Sequence, residues 1–309
     1  MIENFREAAV NSALSPNSAN KSFPFWNREI KNITKGALNG RKLFDLGDHL
    51  RQIFSASSGG QIRESSKSNS SVSTGGAAWE SLVCWYLNLC LIGTDVVVVK
   101  SKKDLLPKFV TDAITVKYNN FKSNTEADLI FIAFPSLTDW PIIEKGETFS
   151  KYFDRLHNLK FSLKDISIGV IQTKTNWNDN AQIPMLWDMV YSANGFGRNV
   201  TVGSNGVSIS SFKSFTYSFI TVPSQKDINK MFKNTSVAVH RVRNISGGNY
   251  WGLPTKDGVC DSIKEFFGRN LIDFIPASDH IVHLDKEVKE LTGKYSYFGL
   301  DNFGPSYLP

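Results

Sequence analysis

A glutamine and a lysine stand two residues apart where an apolar run ends: residues 166–173 read ISIGVIQT, and Lys174 follows. Side chains alternate between faces along a strand, so Gln172 and Lys174 emerge together while Ile171 and Thr173 point the other way. Asn176, Asn178 and Asp179 crowd the chain directly afterwards. Taken alone, the pair is equally well a lysine reaching from a strand end to water. A second apolar run, DLIFIAF at 128–134, opens on Asp128 and stops at Pro135. If the two runs are neighbouring strands, Asp128, Gln172 and Lys174 converge at one edge of a sheet. Carboxylate and amide oxygens are hard ligands suited to magnesium. A lysine beside a cation-bound water can orient it or take its proton, and the cation offsets charge building on a phosphate. These are the parts that phosphodiester hydrolysis needs.

Glu80 is the fourth candidate. It lies near the start of AAWESLVCWYLNLCLI, residues 77–92, and its neighbours three, four and seven positions on are Val83, Cys84 and Leu87. A carboxylate on an apolar face is costly unless it is paired, protonated or bound to a cation. Two readings stand open: a metal-ligating acid, or a first-turn carboxylate favoured by the helix dipole.

The elements that must position these groups follow from hydrophobic patterning. Residues 77–92 are apolar on nearly every side, as a buried helix is, with Gly93 as its stop. The valine run 96–99, then 128–134 and 166–173, reads as strands buried on both faces. A helix is expected over 183–191, where Pro184 suits the first turn. Further on, 200–209 reads as a hairpin turning at Asn205-Gly206, 215–222 as a strand and 261–267 as a short helix. The fold class expected is α/β, with a central mixed β-sheet flanked by helices in a single domain spanning 1–309. Within it, 1–53 is a helical lead-in, 55–76 a mobile Ser/Gly-rich segment, 77–191 the catalytic core and 192–309 a loop-rich accessory region.

The order Glu80, Asp128, Gln172-Thr173-Lys174 resembles the PD-(D/E)xK nuclease superfamily and, within it, the type II restriction endonucleases. In that pattern a helix supplies an acid, one strand an Asp and the next an acid-x-Lys, so the resemblance covers roughly residues 77–191. It implies a restriction-endonuclease-like core. Glu80, Asp128, Gln172 and Lys174 are then catalytic, and Mg2+ is held by Asp128, Gln172 and Glu80. It also implies a homodimer that cuts double-stranded DNA at a short palindrome, within a restriction-modification system, leaving 5′-phosphate and 3′-hydroxyl ends. Two departures stand out: Ala127 where a proline is common, and the neutral Gln172 where an acid is usual. An amide binds a cation more weakly, so Glu80 or Asp179 has to supply the missing charge.

Reading a DNA sequence takes Arg, Lys, Asn and Gln side chains on loops that reach base edges. The segment HRVRNISGGNYWGLPTK, 240–256, offers His240, Arg241, Arg243, Asn244, Asn249 and Lys256 on a glycine-rich frame. NGFGR, ending at Arg198, is a second candidate. Lys100, Lys102 and Lys103 suit phosphates, which position a protein without reading sequence.

Bulk properties narrow the rest. Lys and Arg number 35 against 29 Asp and Glu, a net charge of +6 that suits a polyanionic partner. The 3 cysteines, Cys84, Cys90 and Cys260, form no CxxC pair, against both a disulfide framework and structural zinc. No signal-peptide h-region, membrane-length apolar run or P-loop is present, so a cytoplasmic protein with no membrane role and no nucleotide cofactor is expected. Two other readings share these residues: a structure-specific repair or recombination nuclease, and a non-catalytic DNA-binding module whose site has decayed at Gln172.

Overall fold

Runs of valine and isoleucine bury both faces only inside a covered sheet, and the three such runs lie side by side. The computed structural model describes residues 1–57, 69–123, 127–175, 192–193, 200–222, 248–250, 263–271, 273–275, 277–301 and 303–305. Helices α1 (Ile2–Leu14), α2 (Asn17–Thr34), α3 (Gly40–Asp45), α4 (Leu50–Ala56) and α5 (Asn69–Cys90) precede the main strands. A short strand β1 (Ala37–Leu38) among them pairs in parallel with β10 (Gly304–Pro305). Then come β2 (Val96–Lys100), α6 (Lys108–Ile114), β3 (Val116–Tyr118), β4 (Phe121–Ser123), β5 (Leu129–Ala133), α7 (Phe149–Leu156) and β6 (Ser167–Lys174). They are followed by β7 (Val200–Val202), β8 (Ser214–Thr221), β9 (Gly248–Tyr250), α8 (Lys264–Asn270) and α9 (Ala277–Glu287).

The central sheet has the order β2-β5-β6-β8-β9. The β2/β5 and β5/β6 pairs are antiparallel, and the β6/β8 and β8/β9 pairs are parallel, so the sheet is mixed and flanked by helices, as the patterning predicts. Each face carries a core. Val96, Val98, Leu129, Phe131, Ile171 and Ile220 pack with α5, while Val97, Val99, Ile130, Ile132, Val170 and Phe219 pack with residues of α1, α6 and α7. Gly169 lies where a Cβ would come within 2.1 Å of the Phe131 ring, so glycine at this point of a central strand lets that ring cross the sheet. Helix α1 is part of this body rather than a lead-in: the buried Arg6 guanidinium donates to the carbonyls of Thr94 and Val96, each at 2.7 Å.

Three local expectations change. Helix α5 starts at Asn69, so 69–76 of the segment read as mobile are helical, while 58–68 lie outside the described residues. Ser and Asn are weak helix formers, but extending a helix already anchored by burial costs little per residue. The Asn205-Gly206 turn forms, with φ at 52° and 78° and a bridge between Ser204 and Val207. Strand β7, however, pairs with β3 instead of a hairpin partner, in a second sheet of order β4-β3-β7. The 261–267 helix is displaced, α8 running Lys264–Asn270. The helix expected over 183–191 lies outside the described residues. Among the described residues no helix is long and apolar enough to cross a membrane.

Candidate active site

Asp128 immediately precedes β5, and the β5/β6 register pairs Leu129 with Ile171, which brings Asp128 level with Gln172. The contact is direct. Asp128 Oδ2 accepts from Gln172 Nε2 at 2.7 Å, from the Thr173 backbone N–H at 2.7 Å and from Thr173 Oγ1 at 3.1 Å. The convergence expected from two separate runs is therefore present for Asp128 and Gln172. Thr173, expected to point away from Gln172 and Lys174, also fixes the carboxylate, from the backbone side. Gln172 is 1% exposed, and its Oε1 faces the Tyr217 hydroxyl of β8 at 3.5 Å. For that oxygen to join Asp128 on a cation, the amide must turn over. Tyr217 Oη can then accept from the amide nitrogen, so the turned state keeps a partner.

Lys174 ends β6 half-buried, held in register by its carbonyl, which accepts from Val222 N at 2.9 Å and Thr221 Oγ1 at 2.8 Å. Among the described residues no carboxylate pairs with its ammonium group, and its place in β6 is at the same sheet end as Asp128.

Glu80 reaches this end from α5. The helix is fixed along β2 by a stripe at four-residue spacing, the helical repeat that keeps side chains on one face. Glu80 Oε1 meets Lys100 Nζ at 3.0 Å, Cys84 Sγ lies 3.5 Å from the Val98 carbonyl, and Asn88 both donates to Val98 O (2.7 Å) and accepts from Val98 N (3.0 Å). Strand β2 is a sheet edge, and Asn88 stands in for the missing neighbour strand. Trp79 donates to the Ile220 carbonyl at 3.4 Å, tying the same part of α5 to β8.

This position overturns the first-turn reading of Glu80, since α5 begins at Asn69 and Glu80 stands mid-helix, away from the dipole end. Burial pushes its carboxyl above the ordinary carboxylate range. Lys100 opposes that rise by charge and hydrogen bond, Asp128 adds to it and Lys174 opposes it. Asp128 and Lys174 thus both act on the Glu80 carboxyl electrostatically. Lys100, expected to meet phosphates, is instead 8% exposed and committed to Glu80 and to Ser81 Oγ. The parity it shares with Val96 and Val98 aims it at α5.

Lys102 and Lys103 are exposed, as a phosphate contact requires. Arg198, His240, Arg241, Arg243, Asn244, Lys256 and Asp179 lie outside the described residues, and Asn249 falls within β9. Cys84 and Cys90 are buried free thiols, and burial pushes Cys84 up to about 12, which makes it an inert packing group. Among the described residues no three His, Cys, Asp or Glu side chains gather as a metal cluster. The donor set at the sheet end is two carboxylates and one amide. No protein-family model matches the chain, nor does any curated protein or solved structure at a significant level.

Proposed function

We propose that the chain is a Mg2+-dependent DNA endonuclease of the type II restriction class, hydrolysing phosphodiester bonds of double-stranded DNA at a short sequence and leaving 5′-phosphate and 3′-hydroxyl ends. The observation that carries this reading is the gathering of Asp128, Gln172 and Lys174 at one end of a mixed sheet, with the mid-helix Glu80 coupled to them. The connectivity supports it: a buried helix, three antiparallel strands, and a further strand parallel to the third.

The oxygens present fit magnesium, which takes one or two carboxylates and fills its remaining positions with waters and substrate phosphate. Asp128 and Glu80, with Gln172 Oε1 once its amide turns, would hold the ion, and it would supply an activated water and charge neutralisation. Thr173 holds the Asp128 carboxylate in place through its backbone N–H and its hydroxyl. Lys174 orients the attacking water and stabilises the charge that builds on the phosphate. The P–O3′ bond breaks as the water oxygen bonds to phosphorus, and the 3′ oxygen leaves with a proton. A homodimer suits a palindromic site.

Plasmid digestion with magnesium tests the reading: discrete fragments are expected. Lys174→Ala abolishes cutting, a loss of at least about a hundredfold for a group acting on the reacting atoms, while duplex binding stays largely intact. Normal cutting by that variant would remove Lys174 from the site. A second reading, a binding module without catalysis, is favoured by the neutral Gln172, which donates to Asp128 where an acid of the acid-x-Lys pattern would repel it. Calorimetric titration of magnesium in the presence of duplex separates the two, since a module binds DNA without metal linkage.

A further inference from the structure

The second sheet, β4-β3-β7, is joined to the candidate site by only a few residues, since β4 ends at Ser123 and Asp128 follows. It is a short ribbon with two unlike faces. Val116 is buried at its base and Val202 packs against the core, which fixes that face to the body. On the opposite face Lys117 of β3 stands directly across from Lys122 of β4, with Thr201 of β7 on its other side. At the tip, Tyr118 and Phe121 pair across a two-residue turn in which Asn119 takes φ 54°, a conformation asparagine tolerates. Phe121 is 69% exposed and Tyr118 39%.

Two features resist an ordinary structural account. Like charges directly opposite one another weaken strand pairing, and among the described residues no carboxylate pairs with Lys117 or Lys122. Edge strands often carry lysine to discourage aggregation, and that explains Lys122 on the edge strand β4. It does not explain Lys117, which stands in the middle strand, nor a phenylalanine left exposed on the same edge. The sheet has three strands, and the lysines that β3 and β4 carry on its outer face can meet phosphates. The path from ribbon to site is charged, its lysines standing among Asp104, Asp112 and Asp154. A groove of about 700 Å3 runs from Thr115, at the root of β3, to Ser101, whose N–H bonds to the Asp128 carbonyl at 3.4 Å, and Lys102 and Lys103 line it.

We propose that the β4-β3-β7 ribbon is a duplex-DNA contact surface. Lys117 and Lys122 on the outer face neutralise phosphates, while the Tyr118/Phe121 tip, which alternation places on the other face, meets the DNA at its exposed edge. The assignment rests on the nuclease reading for its partner and is tested separately from it. The probe is a short fluorescein-labelled duplex of arbitrary sequence, titrated by anisotropy over a range of salt with calcium in place of magnesium.

Each phosphate contact contributes about −0.9 to the slope of log K against log salt. Lys117→Ala/Lys122→Ala is therefore expected to flatten the slope by about 1.8 and to weaken binding about fiftyfold near 0.1 M salt. Phe121→Ala is expected to weaken binding severalfold with the slope unchanged. Both sites are at the surface, and circular dichroism with an unchanged melting temperature establishes that the variants are folded. A double variant that binds with wild-type affinity and slope overturns the ribbon, even if the wild type cuts plasmid normally. A wild type that never cuts but loses binding through these two lysines retains the ribbon and sinks the nuclease. No duplex binding by the wild type at low salt overturns both.

Discussion

Replacing Lys100 by methionine removes one half of a mostly buried ion pair and leaves the other in place. The pair is close, Lys100 Nζ to Glu80 Oε1 at 3.0 Å, with side-chain exposures of 10% and 20%. Deleting one partner of a buried pair costs about 3–5 kcal/mol because the survivor keeps its desolvation penalty. Glu80 retains some water, so the lower end applies, about 3 kcal/mol where Glu80 is charged. The cost must depend on pH, and the sign follows from the protonation of Glu80. Burial raises its carboxyl in the folded state, so the native protein holds that proton more tightly than the unfolded chain does. The stability contributed by the raised group is therefore present at low pH and lost as pH rises through the folded value. Lys100 is the largest influence opposing the rise. Without it the loss on the alkaline side deepens, whereas at low pH Glu80 is protonated and little is lost. Urea unfolding should show Lys100→Met destabilised by about 3 kcal/mol at alkaline pH, where Glu80 is charged, and by less at acid pH. With a denaturant slope of about 3 kcal/mol/M, the alkaline midpoint moves by about 1 M. Adding Glu80→Gln to that variant removes the stranded charge and should return stability to within about 1 kcal/mol of wild type at both pH values. A cost that is the same at the two pH values, or a double variant no more stable than the single, refutes the electrostatic account of this pair.

Two further outcomes follow from the site and its support. Gln172→Glu places a second carboxylate 2.7 Å from Asp128 Oδ2, so in EDTA it should destabilise the protein by about 1–3 kcal/mol at neutral pH. Magnesium should then raise the melting temperature of the variant more than that of the wild type, and equal shifts by scanning calorimetry would remove the cation from this position. Asn88→Ala strands the N–H and carbonyl of Val98 on a buried edge strand, each worth about 1–3 kcal/mol when left without a partner. A total of about 2–4 kcal/mol is expected from urea unfolding, and a change below about 1 kcal/mol would mean that α5 is held to β2 by apolar packing alone.

The central strands were legible because residues 96–99, 128–134 and 166–173 carry a signal that needs no partner to interpret: apolar on both faces, therefore covered on both. Alternation then placed Gln172 and Lys174 together without any knowledge of the neighbouring strand. What the sequence left hidden depends on long-range pairing. The runs 116–118 and 121–123 are short and half polar, and become strands only because β7 closes on them across some eighty residues of chain. The Asn205-Gly206 turn was readable as local chemistry, but no local rule says that Val200–Val202 will choose β3 over its own hairpin. Thr173 was missed because its role lies in a backbone N–H and a hydroxyl aimed at a residue on another strand.

Lys100 is the instructive case, because the information that corrects it was available. A lysine two positions beyond Val98 on a strand buried on both faces points where Val98 points, into the packed helix, and it requires an acid there. Glu80 is that acid, so two charged residues read separately as a phosphate contact and a metal ligand are one neutral unit. The consequence reaches the candidate site. Glu80 and Asp128 are balanced in formal charge by Lys100 and Lys174, and Gln172 adds none. A divalent cation would gain little net attraction from such a site alone and much more once a phosphate arrives with its own negative charge. Under the nuclease reading, then, the neutral Gln172 is the feature that makes metal binding depend on DNA rather than one that abolishes it.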